Sequence, residues 1–481
     1  MTDVLSGFEP ELLWKHFDRL RQIPRCSKHE DKAIDYVIEV AERNGLEWKK
    51  DDAGNCVVKV PASPGKEDSP IVVIQGHVDM VCEKNRDTEF DFSKDPLQLR
   101  KEEDYLYATG TTLGADNGIG VCAALAIMDD KELVHGPLEC LFTVDEETGL
   151  TGAFALGGDM LEGRLFMNLD TEEERALYVG CAGGGESDLK MAVLWEDPVG
   201  KALNINFSGM KGGHSGVDIH LGRANAIKLL GRILWKVASE HEFGLGHFTA
   251  GDKHNAIPRE AEAVLVTGEE LDPIKEEIKE AFEEVKFEYK SIEPDMELNM
   301  DEVDLPERMM TPEDSRRTIH LIVSLPHGVM RMSPDIPDLV ETSTSMAKIR
   351  TEGEEVFIQL ASRSSSDTQL EALRDRIEAI SILAGADAER GQAYPGWLPN
   401  LDSKVLAILK EGATELWKKE PEIKAIHAGL ECGIIGEKFE GMDMASFGPQ
   451  IENPHSPDER VRIPSVKDFW DLLVLTLEKL A

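Results

Sequence analysis

Apolar residues recur at helical spacing near the start of the chain. Residues 11–23, ELLWKHFDRLRQI, carry this pattern and are followed by a proline, so we predict a helix there. Ser27 and Glu30 stand three positions apart, which is the spacing of a capping box. They predict the start of a second helix over residues 33–44, which ends before a glycine.

Short apolar runs follow and alternate with a helical pattern. Residues 56–60 and 71–74 predict two strands, 117–128 a helix, and 138–144 a further strand. The run 71–74 is apolar throughout, which is typical of a strand that is covered on both faces. This alternation predicts an α/β fold in which helices cover both sides of a sheet.

The pattern changes after about residue 190. Strands and helices continue without the rhythm of a parallel sheet, at residues 202–207, 224–239, 318–325, 355–360 and 367–384, where 224–239 and 367–384 are helical and the others strand-like. We interpret this stretch as an α+β insert. The α/β pattern returns after a loop rich in proline and glycine at 394–399. We therefore predict a first core part over 1–187, an insert over 188–388 and a second core part over 389–481.

The charge of the chain is strongly acidic. Its 481 residues include 52 Lys and Arg against 92 Asp and Glu, a formal net charge of −40. Nucleic-acid binding requires basic patches that neutralise phosphates, and an anionic membrane attracts the same patches, so we exclude both partners. The acidic stretch between residues 269 and 317 is expected to form a solvated surface.

The cysteines indicate a reducing compartment. The seven cysteines are scattered and form no C-x-x-C pair, so we expect structural thiols and no thiolate zinc site. The first residues lack the apolar core of a signal peptide, and the apolar run 117–128 is too short to span a bilayer. We expect a cytoplasmic protein.

Four short segments place acidic residues or histidine directly after apolar runs or before an apolar helix. They are IVVIQGHVDM with His77 and Asp79, GTTLGADNGIG with Asp116, LECLFTVDEETG with Asp145, Glu146 and Glu147, and LFMNLDTEEE with Asp170. Taken singly, each has an ordinary explanation, such as a helix N-cap or a solvated turn. Together they indicate one edge of the sheet, where the strands end and ligands bind. Carboxylates and imidazoles are ligands for divalent cations, so we predict a metal centre there.

These segments resemble a known family. GHVDMV, TLGADNGIG, TVDEETGLTGA and NLDTEE are similar to motifs of the M20 metallopeptidases, and within them to the aminoacyl-histidine dipeptidases (cytosol nonspecific or Xaa-His dipeptidases). GMKGGHSGVDIHLGRANAIKLL and FGPQIENPHSPDERV extend the resemblance over nearly the whole chain. The resemblance implies a zinc-peptidase-like catalytic domain with a mixed central sheet flanked by helices, interrupted by an α+β lid domain at residues 188–388.

The resemblance also implies a site for two divalent metal ions, with zinc first and manganese or cobalt as alternatives that ligand type does not separate. The implied ligands are His77, Asp116, Glu147, Asp170 and His455. Asp116 would bridge both metals, His77 and Asp170 would complete one, and Glu147 and His455 the other. Glu146 would be the general base and Asp79 would orient His77. Three carboxylates and a bridging hydroxide would balance the charge of two Zn²⁺ ions.

The insert would supply the contacts with the substrate. By resemblance, His214 reaches the catalytic site, in many relatives from the partner subunit of a homodimer formed through the lid. Arg363 would bind the C-terminal carboxylate of the substrate with its guanidinium, and Asn255 would also contact the substrate. The implied function is the hydrolysis of dipeptides of broad specificity, including Xaa-His, by a bridging hydroxide with Glu146 as base.

Three other functions stay open or are disfavoured. A related M20 amide hydrolase, such as a tripeptidase or an N-acyl amino acid deacylase, would have the same metal centre and differ only in lid and cleft. A non-catalytic protein that binds metal or peptide is disfavoured because every implied ligand and the base are present. Nucleotide binding is disfavoured because no glycine-rich phosphate loop is found.

Overall fold

The computed structural model describes residues 2–481, which form two compact units. The first unit comprises Met1–Cys181, Trp397–Ala425 and Leu430–Ala481, and the second comprises Ala182–Gly396 and Ile426–Gly429. The order is a core that is interrupted by an insert. The insert limits at 188 and 388, taken from sequence alone, lie a few residues inside the second unit.

The first unit holds the elements from both ends of the chain. Its helices are α1 (Glu11–Leu20), α2 (Asp31–Arg43), α3 (Ala115–Asp129), α4 (Thr151–Ala155), α9 (Lys404–Trp417), α10 (Glu431–Lys438) and α11 (Ile463–Leu480), with a 3-10 turn at Asp3–Leu5. Its strands are β1 (Glu47–Lys50), β2 (Cys56–Val60), β3 (Val72–His77), β4 (Leu99–Glu102), β5 (Tyr105–Ala108), β6 (Leu138–Thr143), β7 (Leu165–Asn168), β8 (Ala176–Cys181), β22 (Glu422–Ile426), β23 (Asp443–Ser446), β24 (Ile451–Glu452) and β25 (Arg460–Arg462).

The central sheet of the first unit is mixed and has eight strands in the order β1-β2-β6-β3-β7-β23-β8-β22. Its middle is parallel, since β3 pairs in parallel with both β6 and β7, and β23 with β7. Every residue of β3 and β6 is buried, and so is nearly all of α3. The α/β architecture with covered strands is confirmed. A smaller sheet, β24-β25-β5-β4, completes the unit.

The second unit is α+β. Its strands are β9 (Gly183–Ala192), β10 (Trp195–Glu196), β11 (Lys201–Ser208), β12 (Gly213–His214), β13 (Gly244–Ala250), β14 (Ala256–Ile257), β15 (Ala261–Thr267), β16 (Glu297–Val303), β17 (Met309–Met310), β18 (Gly328–Met332), β19 (Val340–Glu352), β20 (Glu355–Ser364) and β21 (Asp387–Arg390). Its helices are α5 (Ala226–Glu240), α6 (Leu271–Tyr289), α7 (Pro312–Ser324) and α8 (Asp367–Leu383), with a 3-10 turn at Ile219–Leu221. Antiparallel pairing joins the nine strands of its main sheet.

The strand expected at residues 318–325 is wrong, because this stretch lies in helix α7. Thr311 caps the helix by accepting a hydrogen bond from the Asp314 amide, and Pro312 occupies its first turn. Thr318, Ile319 and Ile322 are buried at helical spacing, so packing overrides their preference for strands. The first part of the acidic stretch forms helix α6. Six of its apolar residues are buried while its acids lie on the more exposed side, although Phe287 is also exposed.

The expectation that all seven cysteines are free thiols is wrong for two of them. Cys26 and Cys82 form a disulfide, with their Cα atoms 5.7 Å apart. They are 56 residues apart in sequence but adjacent in the fold, because Cys26 lies in the segment that forms an isolated bridge with Met80. The other five are buried and form no disulfide among the described residues. Among residues 2–481, none of the helices combines the length and apolarity that crossing a bilayer requires.

Candidate metal centre

The parallel strands β6, β3 and β7 bring the predicted residues to one edge of the central sheet. His77 is the last residue of β3, Glu146 and Glu147 follow β6, and Asp170 follows β7. Parallel neighbours end on the same side, so their carboxyl ends deliver these side chains to one place. Gly76 permits the close approach of the segment that carries Asp116, because a Cβ there would collide with the side chain next to it, Asn117.

Two triads of possible ligands share Asp116. In the first, His77 Nε2 lies 3.2 Å from Asp116 Oδ1 and 3.2 Å from Asp170 Oδ1. In the second, His455 Nε2 lies 3.3 Å from Asp116 Oδ2 and 2.9 Å from Glu147 Oε2. In each triad one ligand atom per residue lies within 4.8 Å of the others. The structure therefore brings together all five residues for which the sequence predicts metal binding, with one Asp116 oxygen facing each triad.

Asp79 holds three parts of the centre at once. It is fully buried, and its Oδ1 lies 3.2 Å from His77 Nδ1. Its two oxygens also accept hydrogen bonds from the main-chain amides of Glu146 and Glu147, at 3.1 and 3.2 Å. Contact with His77 fixes the orientation of the ring, in the manner of carboxylates behind metal-bound histidines. The two hydrogen bonds from these amides were not expected from the sequence. They fix the segment that carries Glu146 and Glu147.

The capping box expected at Ser27 and Glu30 is wrong. Helix α2 begins at Asp31 without a side-chain cap. Ser27 instead donates a hydrogen bond to Asp79 Oδ2 at 2.8 Å. The Glu30 carboxylate accepts hydrogen bonds from the main-chain amides of Lys28 and Asp145. Because Asp79 and Asp145 are distant in sequence, the local spacing gave a plausible but false interpretation, and both residues support the centre.

The acidic side chains of the centre are buried together, and their pKa values reflect this. Burial, opposed by the nearby His77 and aided by the charges of Asp116 and Glu147, raises the pKa of Asp170 to about 7. Burial likewise raises the pKa of Glu146 well above its ordinary value. For His455, burial alone would lower the pKa, but hydrogen bonds with Asp116 and Glu147 outweigh it and raise the pKa to about 11. Divalent cations would stabilise such a cluster by displacing its protons.

Unpartnered oxygen atoms support a fit to metal ions. Glu147 Oε1 and Asp170 Oδ1 are buried and accept no well-aligned hydrogen bond from the described residues, although His77 Nε2 lies 3.2 Å from Asp170 Oδ1. Buried carboxylate oxygens are rarely left in this state without an ion or water. Oxygen and imidazole donors in two triads suit zinc and neighbouring divalent metals. The donor set, its orphaned oxygens and its shared carboxylate thus fit a dinuclear centre.

A buried polar network behind the strands was missed by the sequence analysis. Glu431, on α10, is fully buried and accepts hydrogen bonds from Gln75 on β3 and Thr143 on β6, at 2.6 and 2.7 Å. Gln75 in turn accepts one from Asn168 on β7 at 2.6 Å. Burial raises the pKa of Glu431 to about 8. The polar residues Gln75, Thr143 and Asn168 within apolar strands were the sequence feature that could have indicated this network. In the structure they link the three strands that end at the metal centre.

The predicted substrate residues of the second unit lie on neighbouring segments. Strand β12, with His214, pairs with β14, and the Asn255 carbonyl accepts a hydrogen bond from the Ser215 amide at 2.8 Å. The His214 Nδ1 accepts hydrogen bonds from the amides of Gly216 and Val217. This arrangement places the proton of the neutral ring on Nε2, so that nitrogen is a hydrogen-bond donor.

Arg363 lies beside the same segment, on strand β20. A Cβ at Gly216 would lie 2.4 Å from the His427 carbonyl oxygen and 3.0 Å from the Cδ and Nε atoms of Arg363, so only glycine fits between them. The guanidinium lines a cavity of about 170 Å³ and donates a hydrogen bond to the Tyr394 hydroxyl at 3.0 Å, while its buried Nε has no partner among the described residues. Tyr394 was not predicted; its place in a loop rich in proline and glycine gave no indication of this contact.

His427 contributes to the same part of the second unit. No sequence motif indicated a role for this residue in the site. It is buried, and its Nε2 lies 2.7 Å from Ser343 Oγ. Burial and the charge of Arg363 together lower its pKa to about 3, so this ring is neutral.

Two known proteins are similar to this chain over nearly its full length. The chain is 39% identical over 479 residues to the cytosol non-specific dipeptidase of Escherichia coli strain K12, and the match covers 99% of each chain. The crystal structure of aminoacylhistidine dipeptidase from Vibrio alginolyticus superposes with a TM-score of 0.90 at 41% identity, covering 99% of this chain and 98% of that one.

A more distant structure shares the fold alone. Aminopeptidase PepT from Bacillus cereus has a TM-score of 0.58 at 17% identity, over 98% of this chain and 99% of that one. Residues 73–479 match the model of peptidase family M20/M25/M40. The acidic residues at the strand ends, and the Asp116 side chain shared by both triads, agree with this match. The chain belongs to peptidase family M20/M25/M40.

Proposed function

We propose that this protein is a metal-dependent dipeptidase of broad specificity that hydrolyses Xaa-His and other dipeptides at a dinuclear centre. The observation that carries the proposal is the pair of triads that share Asp116, with Glu146 beside them. The relatives named as dipeptidases, which match over nearly the full chain, support the choice of dipeptides.

Five residues would hold the two metals: His77 and Asp170 on one side, Glu147 and His455 on the other, and Asp116 between them. When bound, two such ions supply an activated water and polarise the carbonyl of the scissile bond. Zinc is our first choice because imidazole and carboxylate donors suit it. Asp79 keeps the His77 ring oriented and the backbone of Glu146 and Glu147 in place.

Glu146 would act as the general base. Its side chain is half-buried, and this burial raises its pKa, so it can hold a proton during the reaction. It would take the proton from the attacking water at its carboxylate and deliver it to the nitrogen of the leaving amine. The Nε2–H of His214 is the donor that we assign to the negative charge developing on the carbonyl oxygen.

Arg363 would bind the C-terminal carboxylate of the dipeptide, and Asn255 would contact the substrate nearby. Arg363 is 9% exposed as a residue, its Nε is unpartnered among the described residues, and its Nη1 donates a hydrogen bond to the Tyr394 hydroxyl. A buried guanidinium with a free edge is suited to a carboxylate, which it can bind through two parallel hydrogen bonds.

Replacing Arg363 by Lys is expected to raise KM for dipeptides by about 10–100-fold, because an ammonium loses the bidentate geometry and one charge-assisted hydrogen bond. Wild type should hydrolyse C-terminally amidated dipeptides poorly, and the variant should discriminate less between acid and amide. Arg350→Lys is the matched control, since Arg350 is a strand arginine of the same sheet paired with exposed Glu352. Equal rates on acid and amide in wild type would remove this role from Arg363.

A homodimer formed through the second unit and a cytoplasmic location complete the proposal. The E. coli relative is named a cytosol dipeptidase, which supports the location. The dimer follows from the family resemblance of His214, which in many relatives acts from the partner subunit. Sedimentation equilibrium that gives the mass of a single chain at assay concentrations would contradict the dimer.

A panel of substrates tests the proposed function. Purified, zinc-loaded protein is assayed with an Xaa-His dipeptide, other dipeptides, a tripeptide and an N-acetyl amino acid. We expect kcat/KM to be highest for the dipeptides. Preference for the tripeptide or the N-acetyl amino acid would reassign the protein to a tripeptidase or a deacylase with the same centre.

A further inference from the structure

Glu459 makes an arrangement of hydrogen bonds that the proposed reaction does not use. Its side chain is 2% exposed and accepts hydrogen bonds from four consecutive main-chain amides. Oε2 accepts from Leu113 at 2.7 Å and Gly114 at 2.9 Å, and Oε1 accepts from Ala115 at 2.7 Å and, more weakly, from Asp116 at 3.4 Å. The last amide belongs to the residue whose side chain is shared by both triads.

These amides lie at the start of helix α3, where no turn of helix precedes them to accept their hydrogens. An anionic carboxylate is a natural partner for these amides, because the backbone of Asp116 and Asn117 is non-helical and no helical carbonyl accepts their hydrogen bonds. Gly114 adopts a left-handed conformation with φ of 66°, which turns its amide toward the same carboxylate as its neighbours. One buried side chain thus fixes the backbone that presents Asp116.

The carbonyl side of the same segment is held by a buried arginine. Arg25 donates to the Gly114 carbonyl and to the carbonyls of Val78 and Asp79, the latter two at 2.9 and 2.8 Å. This guanidinium ties the segment of Asp116 to the segment that follows His77. Glu459 therefore faces the amides of a loop whose other side is already anchored to the first triad.

Glu459 also belongs to the loop that carries His455. This loop, residues 453–459, connects β24 and β25, and β25 is anchored by pairing with β5. Its own turn is closed by a hydrogen bond from the Glu459 amide to the Ser456 carbonyl at 3.0 Å. His455 has a positive φ of 61° and a side chain that is 52% exposed, so packing does little to hold it.

We propose that Glu459 is a positioning residue that joins the His455 loop to the Asp116 segment and thereby sets metal affinity at the triad of Asp116, Glu147 and His455. The inference rests on the proposed function, since it assumes that this triad binds a metal. The other triad depends less on Glu459, because His77 and Asp170 come from the ends of buried strands and Arg25 holds its loop.

The effect of Glu459→Gln follows from its hydrogen bonds. A glutamine has a single acceptor oxygen and would turn an amide N–H₂ group toward two of the four main-chain amides. We expect one of two zinc sites to weaken by about 10–100-fold, the usual cost of losing an outer-shell partner of a metal ligand. The second zinc site should change by much less.

Zinc titration in competition with a chromophoric chelator measures both affinities without using activity. Glu139→Gln is the matched control: Glu139 is also buried in the first unit and accepts main-chain hydrogen bonds, from Glu162 and Gly163, at the opposite end of β6 from the centre. A loss that only reflects general destabilisation would appear in both variants. Glu459→Asp, which keeps the charge on a shorter side chain, serves as the milder variant and should show a smaller loss at the same site.

The outcomes separate the inference from the function on which it rests. Selective loss of one site in Glu459→Gln, or in Glu459→Asp if the first variant does not fold, with two intact sites in Glu139→Gln, supports the role. Two unchanged affinities in the folded Glu459 variants, or an equal loss in the Glu139 control, would overturn the inference alone. A wild-type chain that binds fewer than two zinc ions would overturn the proposed function and the inference with it.

Discussion

Glu146→Gln is expected to lower kcat by about 10²–10⁴-fold, the usual contribution of a general base. Glutamine keeps the shape of the side chain but cannot take a proton from water or return it to the leaving amine. The main-chain amide of Glu146, which donates to Asp79, is unaffected by the change. Both triads that share Asp116 also stay intact, since neither uses Glu146.

Steady-state kinetics on a dipeptide, together with metal analysis of the same preparation, check this expectation. The variant should hold as much metal as wild type and have a similar KM. Glu139→Gln, which removes a buried carboxylate far along β6, is the control and should keep its turnover. If the Glu146→Gln protein binds two metals and its kcat stays within a few-fold of wild type, Glu146 is not the general base.

Asp116→Asn is expected to remove metal and activity together. Each Asp116 oxygen lies near a different triad, 3.2 Å from His77 Nε2 and 3.3 Å from His455 Nε2. Asparagine offers one acceptor oxygen and no charge, so it can serve at most one of them. Because this residue would contact both metals directly, we expect metal affinity to fall by more than the roughly 100-fold that follows loss of a residue that only supports a metal ligand.

The measurement is the number of zinc ions that remain after gel filtration, followed by kcat/KM with and without added zinc. Asp129→Asn is a matched control, since Asp129 ends the same helix α3 and contacts His16 and Arg43 instead of the centre. That variant should keep two metals even if its stability falls. An Asp116→Asn protein that retains two zinc ions and normal kcat/KM would contradict the shared-ligand role.

The strand ends of the centre were predictable because their signals are local. Each of the residues His77, Glu147 and Asp170 comes at or just after the end of an apolar run. Such a run indicates a buried strand, and the residue after it lies at the carboxyl end of that strand. Parallel pairing of β3 with β6 and β7 then places these residues together without further information. His455 is different: its segment is loop, and only the family resemblance connected it with the others.

The supporting contacts were not predictable, because their partners are far apart along the chain. Glu459 binds amides that lie more than 340 residues earlier, and Ser27 binds Asp79 and not its own helix. The Cys26–Cys82 disulfide also depends on tertiary proximity. Helix α7 was missed for a related reason, since its β-branched residues prefer strands until the cap at Thr311 and the packing are known.

Removal and return of metal tests most directly whether hydrolysis requires two bound metal ions. The wild-type chain is stripped with a chelator, shown by metal analysis to be metal-free, and then titrated with zinc while dipeptide hydrolysis is followed. We expect no hydrolysis by the metal-free chain, and activity that returns and saturates at two zinc ions per chain. Undiminished hydrolysis by the metal-free chain, or saturation of binding below two ions, would contradict this expectation.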